Sequence, residues 1–244
     1  MELKIFKDYE GLSLAASEEI IRVIKTNPAA VLCLATGQSP VLTYQLFVEK
    51  IIAENIDLSR CTFIGLDEWV GIPPSNEGSC HYFFKNELIN PLHIPEKQVH
   101  LFDAMSDKLE DECRRMDALI RNNGGIDLMI VGIGMNGHIG FNEPGVSFDN
   151  YSHVIDLDET TLTVGQKYFK SKATLQKGIT LGLKHLQESK KVLLLANGAK
   201  KAGVVTKTVE EEVTNTFPAS IMQTHANGFV MVDREAASLL KQKN

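Results

Sequence analysis

The 244-residue sequence has no block of like charge, no C-x-x-C pair, no apolar run of membrane-spanning length and only one tryptophan. The net charge of -6 is spread along the chain, so the basic footprint of a nucleic-acid binder is missing. Short lysine runs such as "KSK" and "AKKA" read as solvated faces of helices or loops. Cys33, Cys61, Cys80 and Cys113 lie far apart, and the first two sit inside apolar runs, where a free thiol behaves as a small hydrophobe. That usage fits a reducing, cytoplasmic compartment rather than a disulfide framework. The opening "MELKIFKDYEG" lacks the apolar core of a signal sequence, so no membrane partner is expected. Linkers rich in Pro, Gly and Ser, low-complexity tracts and fixed-period repeats are also missing. Residues 1–244 therefore read as a single domain, long enough to bury its own core.

What is present is an alternation of short apolar runs and amphipathic stretches. "LKIF" reads as a strand and "DYEGLSLAASEEIIRVIKTN" as a helix with Asp8 as N-cap. "AVLCLA" has the continuous apolar character of a strand buried on both faces, and the helix "PVLTYQLFVEKIIAEN" follows it closely. "CTFIGL", "GIDLMIVGIG", "KVLLLANG" and "NGFVMVD" are further strands. "DKLEDECRRMDALIRNN" aligns Leu109, Cys113, Met116 and Ile120 on one helical stripe. The pattern predicts an α/β, Rossmann-like fold with a mainly parallel sheet and helices on both faces. Ligands of such sheets bind outside the carboxyl ends of the strands.

Four strand ends carry candidate chemistry. After "AVLCLA" comes "TGQSP", where Ser39 is a candidate N-cap and Pro40 suits the first helical position. Thr36, Gly37, Gln38 and Ser39 thus form a loop at a helix start, which suits a phosphate, although an ordinary βα turn uses the same residues. After "CTFIGL" stands Asp67 with Glu68 beside it: a partly desolvated acid with a raised pKa, fit to act as a base, or else a turn cap. Trp69 reads as a packing residue. After "KVLLLANG", Lys200 and Lys201 open a helix, where one can reach a phosphate or both can face solvent.

The fourth end is "IVGIGMNGHIGFNEPG", Ile130 to Gly145. Gly132, Gly134 and Gly137 spell the dinucleotide fingerprint, and Asp156 or Asp158 falls ~20 residues beyond, where a ribose-binding acid belongs. The fingerprint needs a helix opening at its third glycine, however, and Pro144, Gly140 and Gly145 leave no room for one. It also leaves Asn136, His138, Asn142 and Glu143 unexplained. His138 and Glu143 are close enough along the chain to hydrogen-bond, which would fix the imidazole tautomer and raise its basicity. A satisfied loop histidine would show the same letters.

"LDEWVG" together with "GIGMNGHIGFNEPG" resembles the hexosamine-6-phosphate deaminase (isomerase) family, a Rossmann-like fold shared with 6-phosphogluconolactonases and sugar-sensing regulator domains. The resemblance runs from "AVLCLATGQSP" through "PASIMQTHANGFVMVD". It implies that His138, oriented by Glu143 with Asn136 beside them, opens a pyranose ring. It implies that Asp67 moves a proton from C2 to C1, so that ammonia is lost and a ketose 6-phosphate forms. The phosphate would rest on Thr36–Ser39 with Lys201 as a cationic partner. Residues 157–176 correspond to a lid segment, in which "GQKYF" puts Lys167 where the family's "NSRFF" has a phosphate-binding arginine. No metal or organic cofactor is implied, and the partner is a small-molecule amino sugar phosphate, for a monomer or a homo-oligomer.

Three departures stand out. Asn136 replaces an aspartate common in glucosamine 6-phosphate deaminases. His153 and Ile155 stand where the longer, regulated enzymes carry basic activator-site residues, so no such regulation is expected. "LCLATGQSPVLTY" (Leu32–Tyr44) and "GITLGLK" (Gly178–Lys184) are similar to the galactosamine 6-phosphate branch, whose product is tagatose 6-phosphate, rather than to the branch that makes fructose 6-phosphate. The lactonases' "GHTASLFPG"-like segment is absent, and a sensor would carry a helix-turn-helix for which this chain has no spare length.

Overall fold

The computed structural model describes residues 1–241. Seven strands, β1 (Glu2–Phe6), β2 (Val31–Leu34), β3 (Thr62–Gly65), β5 (Val99–His100), β6 (Leu128–Val131), β9 (Val192–Ala196) and β10 (Gly228–Asp233), form one sheet in the order β1-β10-β9-β6-β2-β3-β5. Every pairing in it is parallel, so all carboxyl ends lie on one edge. The chain leaves β2 toward β3 and β5, then returns to β6 on the other side of β2. This reversal opens the crevice where such sheets bind ligands.

The continuous apolar runs divide by residue parity, as a strand with two buried faces requires. Leu32, Leu34, Leu128, Ile130, Leu193 and Leu195 pack under α1 (Tyr9–Thr26) and α2 (Val41–Glu54). Val31, Cys33, Met129, Val131, Val192 and Leu194 face the opposite side. There they meet α5 (Leu109–Asn122), α7 (Leu183–Glu188) and α8 (Ala202–Glu210). On α5 the expected stripe is realised: Cys113, Met116 and Ile120 are buried, and Leu109 packs at its edge. Asp8 caps α1, accepting from Gly11 N–H at 2.9 Å.

Ser39 does not cap α2. The helix begins at Val41 behind Pro40, with no side-chain cap. Tyr9 does that work from α1: its hydroxyl accepts from Leu42 N–H at 3.2 Å and donates toward the Gln38 and Ser39 carbonyls. The N–H that a Ser39 hydroxyl would have taken already has a partner.

A second, antiparallel sheet lies beyond the carboxyl edge. It joins β4 (Asp67–Trp69), β8 (Lys177–Thr180) and β7 (His153–Asp156) in the order β4-β8-β7. Thr180 pairs with Asp67, and its hydroxyl accepts from Phe141 N–H at 3.2 Å, which ties the strand end at Asp67 to the glycine-rich turn. Between β7 and β8, residues 157–176 form an arch closed at its base by Leu157 N–H donating to Gln176 O at 2.9 Å. The arch contains α6 (Glu159–Gly165) and a 3-10 turn, Gln166–Tyr168. It rests on a separate small core in which the Trp69 ring lies 4.6 Å from Phe141, tilted, and 6.0 Å from Phe169, edge-on. The lone tryptophan is indeed a packing residue. From β4 the chain passes through α3 (Cys80–Phe84), a π-helical turn and α4 (Asn90–Leu92) to β5. Among the described residues no helix is long and apolar enough to cross a membrane.

Candidate active site

The loop after β2 carries a run of free backbone donors. Gly37 turns it with φ of 111°, a conformation that side chains of L-residues rarely adopt. Among the described residues, the backbone N–H groups of Thr36, Gly37, Gln38 and Ser39 find no protein acceptor. Consecutive free donors of this kind concentrate positive potential without any side-chain charge. Lys167 reaches down from the arch to Gln38 Oε1 at 3.5 Å, and the Tyr168 hydroxyl hangs over Gly37. Lys201, in a one-turn 3-10 segment (Ala199–Lys201) after β9, donates to Ile133 O, while Lys200 beside it is exposed. Burial and the nearby Lys167 cation pull Lys201 down to about 8, so an incoming anion would relieve it.

Asp67 begins β4 just beyond the carboxyl end of β3 and is partly exposed. Desolvation and the adjacent Glu68 carboxylate push its carboxyl up to about 7, against a weaker opposing contact from the Cys80 thiol. Glu68 points away and is buried, accepting from Ser79 Oγ at 2.8 Å and from Trp69, Cys80 and His81 N–H at 2.9–3.0 Å. It thereby holds the start of α3, and with it Cys80, against Asp67. Cys80 Sγ lies 3.2 Å from Thr36 Oγ1. Burial and the two carboxylates push this thiol well above its ordinary range, so it stays protonated.

No helix opens at Gly137. The turn after β6 has another use for its glycines. A Cβ at Gly134 would sit 2.3–2.5 Å from the His138 ring, so only glycine lets the imidazole lie against that backbone. Gly137 has φ of 87° and lies under Phe217. His138 Nδ1 is 3.0 Å from Thr161 Oγ1 and 3.5 Å from Glu143 Oε2. Asn136 accepts from His138 N–H at 3.2 Å and donates its amide to Glu143 Oε2 at 2.9 Å and Asp158 Oδ1 at 3.2 Å. Burial raises the Glu143 carboxyl, but His138, Thr161 and Asn136 more than offset it, and the group stays ionised below the ordinary glutamate range. Thr161 and Glu143 thus both lie on the Nδ1 side of the ring.

A family model described as glucosamine-6-phosphate isomerases/6-phosphogluconolactonase matches residues 10–231. The chain belongs to this family. Over its whole length it is 38% identical to a glucosamine-6-phosphate deaminase of Thermoanaerobacter pseudethanolicus, covering 97% of that protein. It is 40% identical to one of Clostridioides difficile, covering 98%. A solved structure of a monomeric glucosamine-6-phosphate deaminase superposes with a TM-score of 0.95 at 37% identity, covering 98% of this chain and 100% of that one. A 6-phosphogluconolactonase from Trypanosoma brucei, at TM-score 0.76 and 18% identity over 97% of each chain, shares the fold.

In this family member, the strand ends singled out from sequence all lie at the carboxyl edge of the parallel sheet. Cys80 Sγ touches both Thr36 Oγ1 and Asp67 Oδ1, Lys167 approaches Gln38, and Lys201 donates to Ile133 O at the foot of the turn that carries Asn136, His138 and Glu143. Asp156 is exposed on β7, and Asp158 is the N-cap of α6, accepting from Thr160 N–H at 2.8 Å, so neither stands as a ribose acid. Sequence reasoning gave no role to Thr161, Cys80 or Tyr168. Thr161 and Cys80 stand in no motif, and Tyr168 lies in "GQKYF", where the resemblance singles out Lys167 beside it; only fold contacts bring the three to these positions. Among the described residues no three His, Cys, Asp or Glu side chains converge as a metal site requires.

Proposed function

We propose that this family member is a hexosamine-6-phosphate deaminase, taking an amino sugar 6-phosphate and water to a ketose 6-phosphate and ammonia. The arrangement that supports this reading is the Asp67 carboxyl, crowded by Cys80 and pushed up to about 7 by desolvation and Glu68, at the same carboxyl edge of the sheet as an imidazole backed by a carboxylate. A base of that pKa exists in both protonation states near neutral pH, which is what shuttling one proton between neighbouring carbons requires.

The phosphate docks on the Thr36–Ser39 N–H groups with Lys201 and Lys167, anchoring the sugar at C6. His138 Nε2 takes the proton of the anomeric hydroxyl as the ring C–O bond breaks, and returns it to the ring oxygen. Asp67 then removes the C2 proton while the C2 ammonium gives one to the aldehyde oxygen, leaving a neutral enolamine, and Asp67 delivers its proton to C1. The resulting imine at C2 adds water and expels ammonia. Residues 157–176 act as a lid that keeps solvent from the enolamine. Positioned proton transfer of this kind typically contributes about 10²–10⁴-fold.

The sequence relatives favour glucosamine 6-phosphate. Galactosamine 6-phosphate is a second reading, favoured by the Leu32–Tyr44 and Gly178–Lys184 segments. The latter reaches the site, because Thr180 of β8 pairs with Asp67. Ammonia release from both sugars, assayed side by side on purified protein without added metal, tests the reading and separates the epimers. No ammonia from either sugar overturns it.

A further inference from the structure

The contact nearest to the His138 imidazole nitrogen is with Thr161, which belongs to α6 of the arch and not to the catalytic turn. Its side chain is 4% exposed. Thr161 is the third residue of α6, in the first turn, where no carbonyl of the helix lies four residues back to take a threonine hydroxyl. Its hydroxyl lies 3.0 Å from His138 Nδ1, closer than Glu143 Oε2 at 3.5 Å. The helix that carries it is pinned in place. Asp158 caps its first turn, donates from its N–H to Glu143 Oε1 at 3.3 Å, and shares the Asn136 amide with Glu143.

We propose that Thr161 is a positioning residue for His138: its hydroxyl accepts the Nδ1 hydrogen and points its own hydrogen at Glu143. The imidazole is thereby held in the tautomer that leaves Nε2 free. A hydroxyl alone, being both donor and acceptor, leaves the tautomer undecided. The ionised Glu143 beyond it accepts only, and that sets the direction of both hydrogen bonds. Gly134 beneath the ring and Asn136 on the backbone N–H complete the hold. The ring-opening group is therefore assembled from two segments and is complete only while α6 is docked.

This inference rests on the proposed deaminase reading, and its test keeps the two separable. Thr161→Val preserves shape and removes the hydroxyl; Thr161→Ser restores the hydroxyl. Thermal unfolding checks that both fold. Ammonia release from the amino sugar 6-phosphate should show kcat falling roughly ten- to a hundred-fold in the valine variant, part of what a positioned proton-transfer group contributes. KM should stay near the wild-type value, and serine should recover most of the loss. An open-chain amino alditol 6-phosphate, with no ring to open, should inhibit the wild type and the valine variant equally.

Independently of turnover, 15N NMR of the histidine side chains should show the His138 Nδ1 resonance in its protonated position in the wild type and the serine variant. In the valine variant it should shift toward a tautomer mixture. Wild-type kcat in the valine variant, a serine variant as impaired as valine, or unchanged 15N shifts would each overturn the proposal. If the wild type releases no ammonia from either sugar, the deaminase reading falls, and the 15N comparison alone decides the role of Thr161.

Discussion

Cys80 Sγ stands 3.6 Å from Asp67 Oδ1 and is the side-chain donor offered to that carboxyl. A thiol is a weak donor, so it steadies the carboxylate without pulling its pKa down far. The other titratable groups near Asp67 are the Glu68 carboxylate, which points away but raises it, and the Tyr168 hydroxyl and Cys33 thiol, both kept protonated by burial. Cys80→Ser replaces the weak donor with a strong one. The acid limb of kcat/KM, near pH 7 in the wild type, should then move to lower pH, whereas Cys80→Ala should move it up. Coincident limbs in all three proteins would remove Cys80 from any influence on the base.

Asp67→Asn should abolish ammonia release while leaving substrate binding within a few-fold, as calorimetry would show. The same variant carries a stability signature. The folded-state pKa of Asp67 lies above its unfolded value, so the folded state binds the extra proton between about pH 4 and 7. Its contribution is therefore fully present below the unfolded pKa and is lost as pH rises through 7. Asparagine escapes that penalty. The melting temperature of Asp67→Asn should exceed that of the wild type at pH 8, with the gap closing toward pH 4. A gap independent of pH would show that Asp67 is not strained by ionisation.

Most strands of the main sheet were readable because local patterns mark them: runs such as Leu128–Val131 are apolar on both parities and end at glycines or capping residues. Their order, β1-β10-β9-β6-β2-β3-β5, was not readable, because it is set by pairing between distant segments. The candidate site was readable at its strand ends for the same reason, since each polar residue there follows directly on a buried strand. Three further features were not readable. Asp67–Trp69 is a strand only because Gly178–Thr180, more than a hundred residues away, pairs with it. Ser39 has the letters of a cap, but the Tyr9 hydroxyl, from another helix, accepts from the Leu42 N–H that it would have capped. Thr161 has no motif at all, and its meaning comes from the docking of α6 on a turn that precedes it in the chain.

Lys201 should make phosphate recognition fade at alkaline pH. Burial and Lys167 hold its ammonium down to about 8 in the free site, so above that pH the site loses a charge before the substrate arrives. KM should rise as pH goes from 7.5 to 9.5 while kcat falls less. Lys201→Ala should raise KM at every pH, by roughly ten- to a hundred-fold, the worth of a hydrogen bond to a charged group. It should also flatten the alkaline rise. A Lys201→Ala variant that retains the full alkaline rise would assign the effect to another group.

Asn136 is the residue that permits two carboxylates to share one corner, since its amide donates to Glu143 and to Asp158 at once. Asn136→Asp turns that bridge into a third carboxylate about 3 Å from the others. Each new like-charge pair costs on the order of 5 kcal/mol at an effective dielectric of 20 before the site relaxes. The cluster should respond by keeping a proton, which can replace one of the lost amide hydrogens. The variant's pKa in the folded state is then raised, so its stability relative to the wild type is nearest to normal at low pH and is lost as pH rises. Melting temperatures at pH 5 and pH 8 should show a larger deficit at pH 8. Adding Asp158→Asn moves the amide to the other side of the bridge and leaves α6 with an N-cap of equal quality. The double variant should therefore recover part of the stability lost by Asn136→Asp alone. The amide introduced at position 158 can donate to the carboxylate introduced at position 136, while the repulsion between that carboxylate and Glu143 remains. Strict additivity of the two substitutions would mean that Asn136 and Asp158 do not act as a pair, and that α6 is seated by its other contacts.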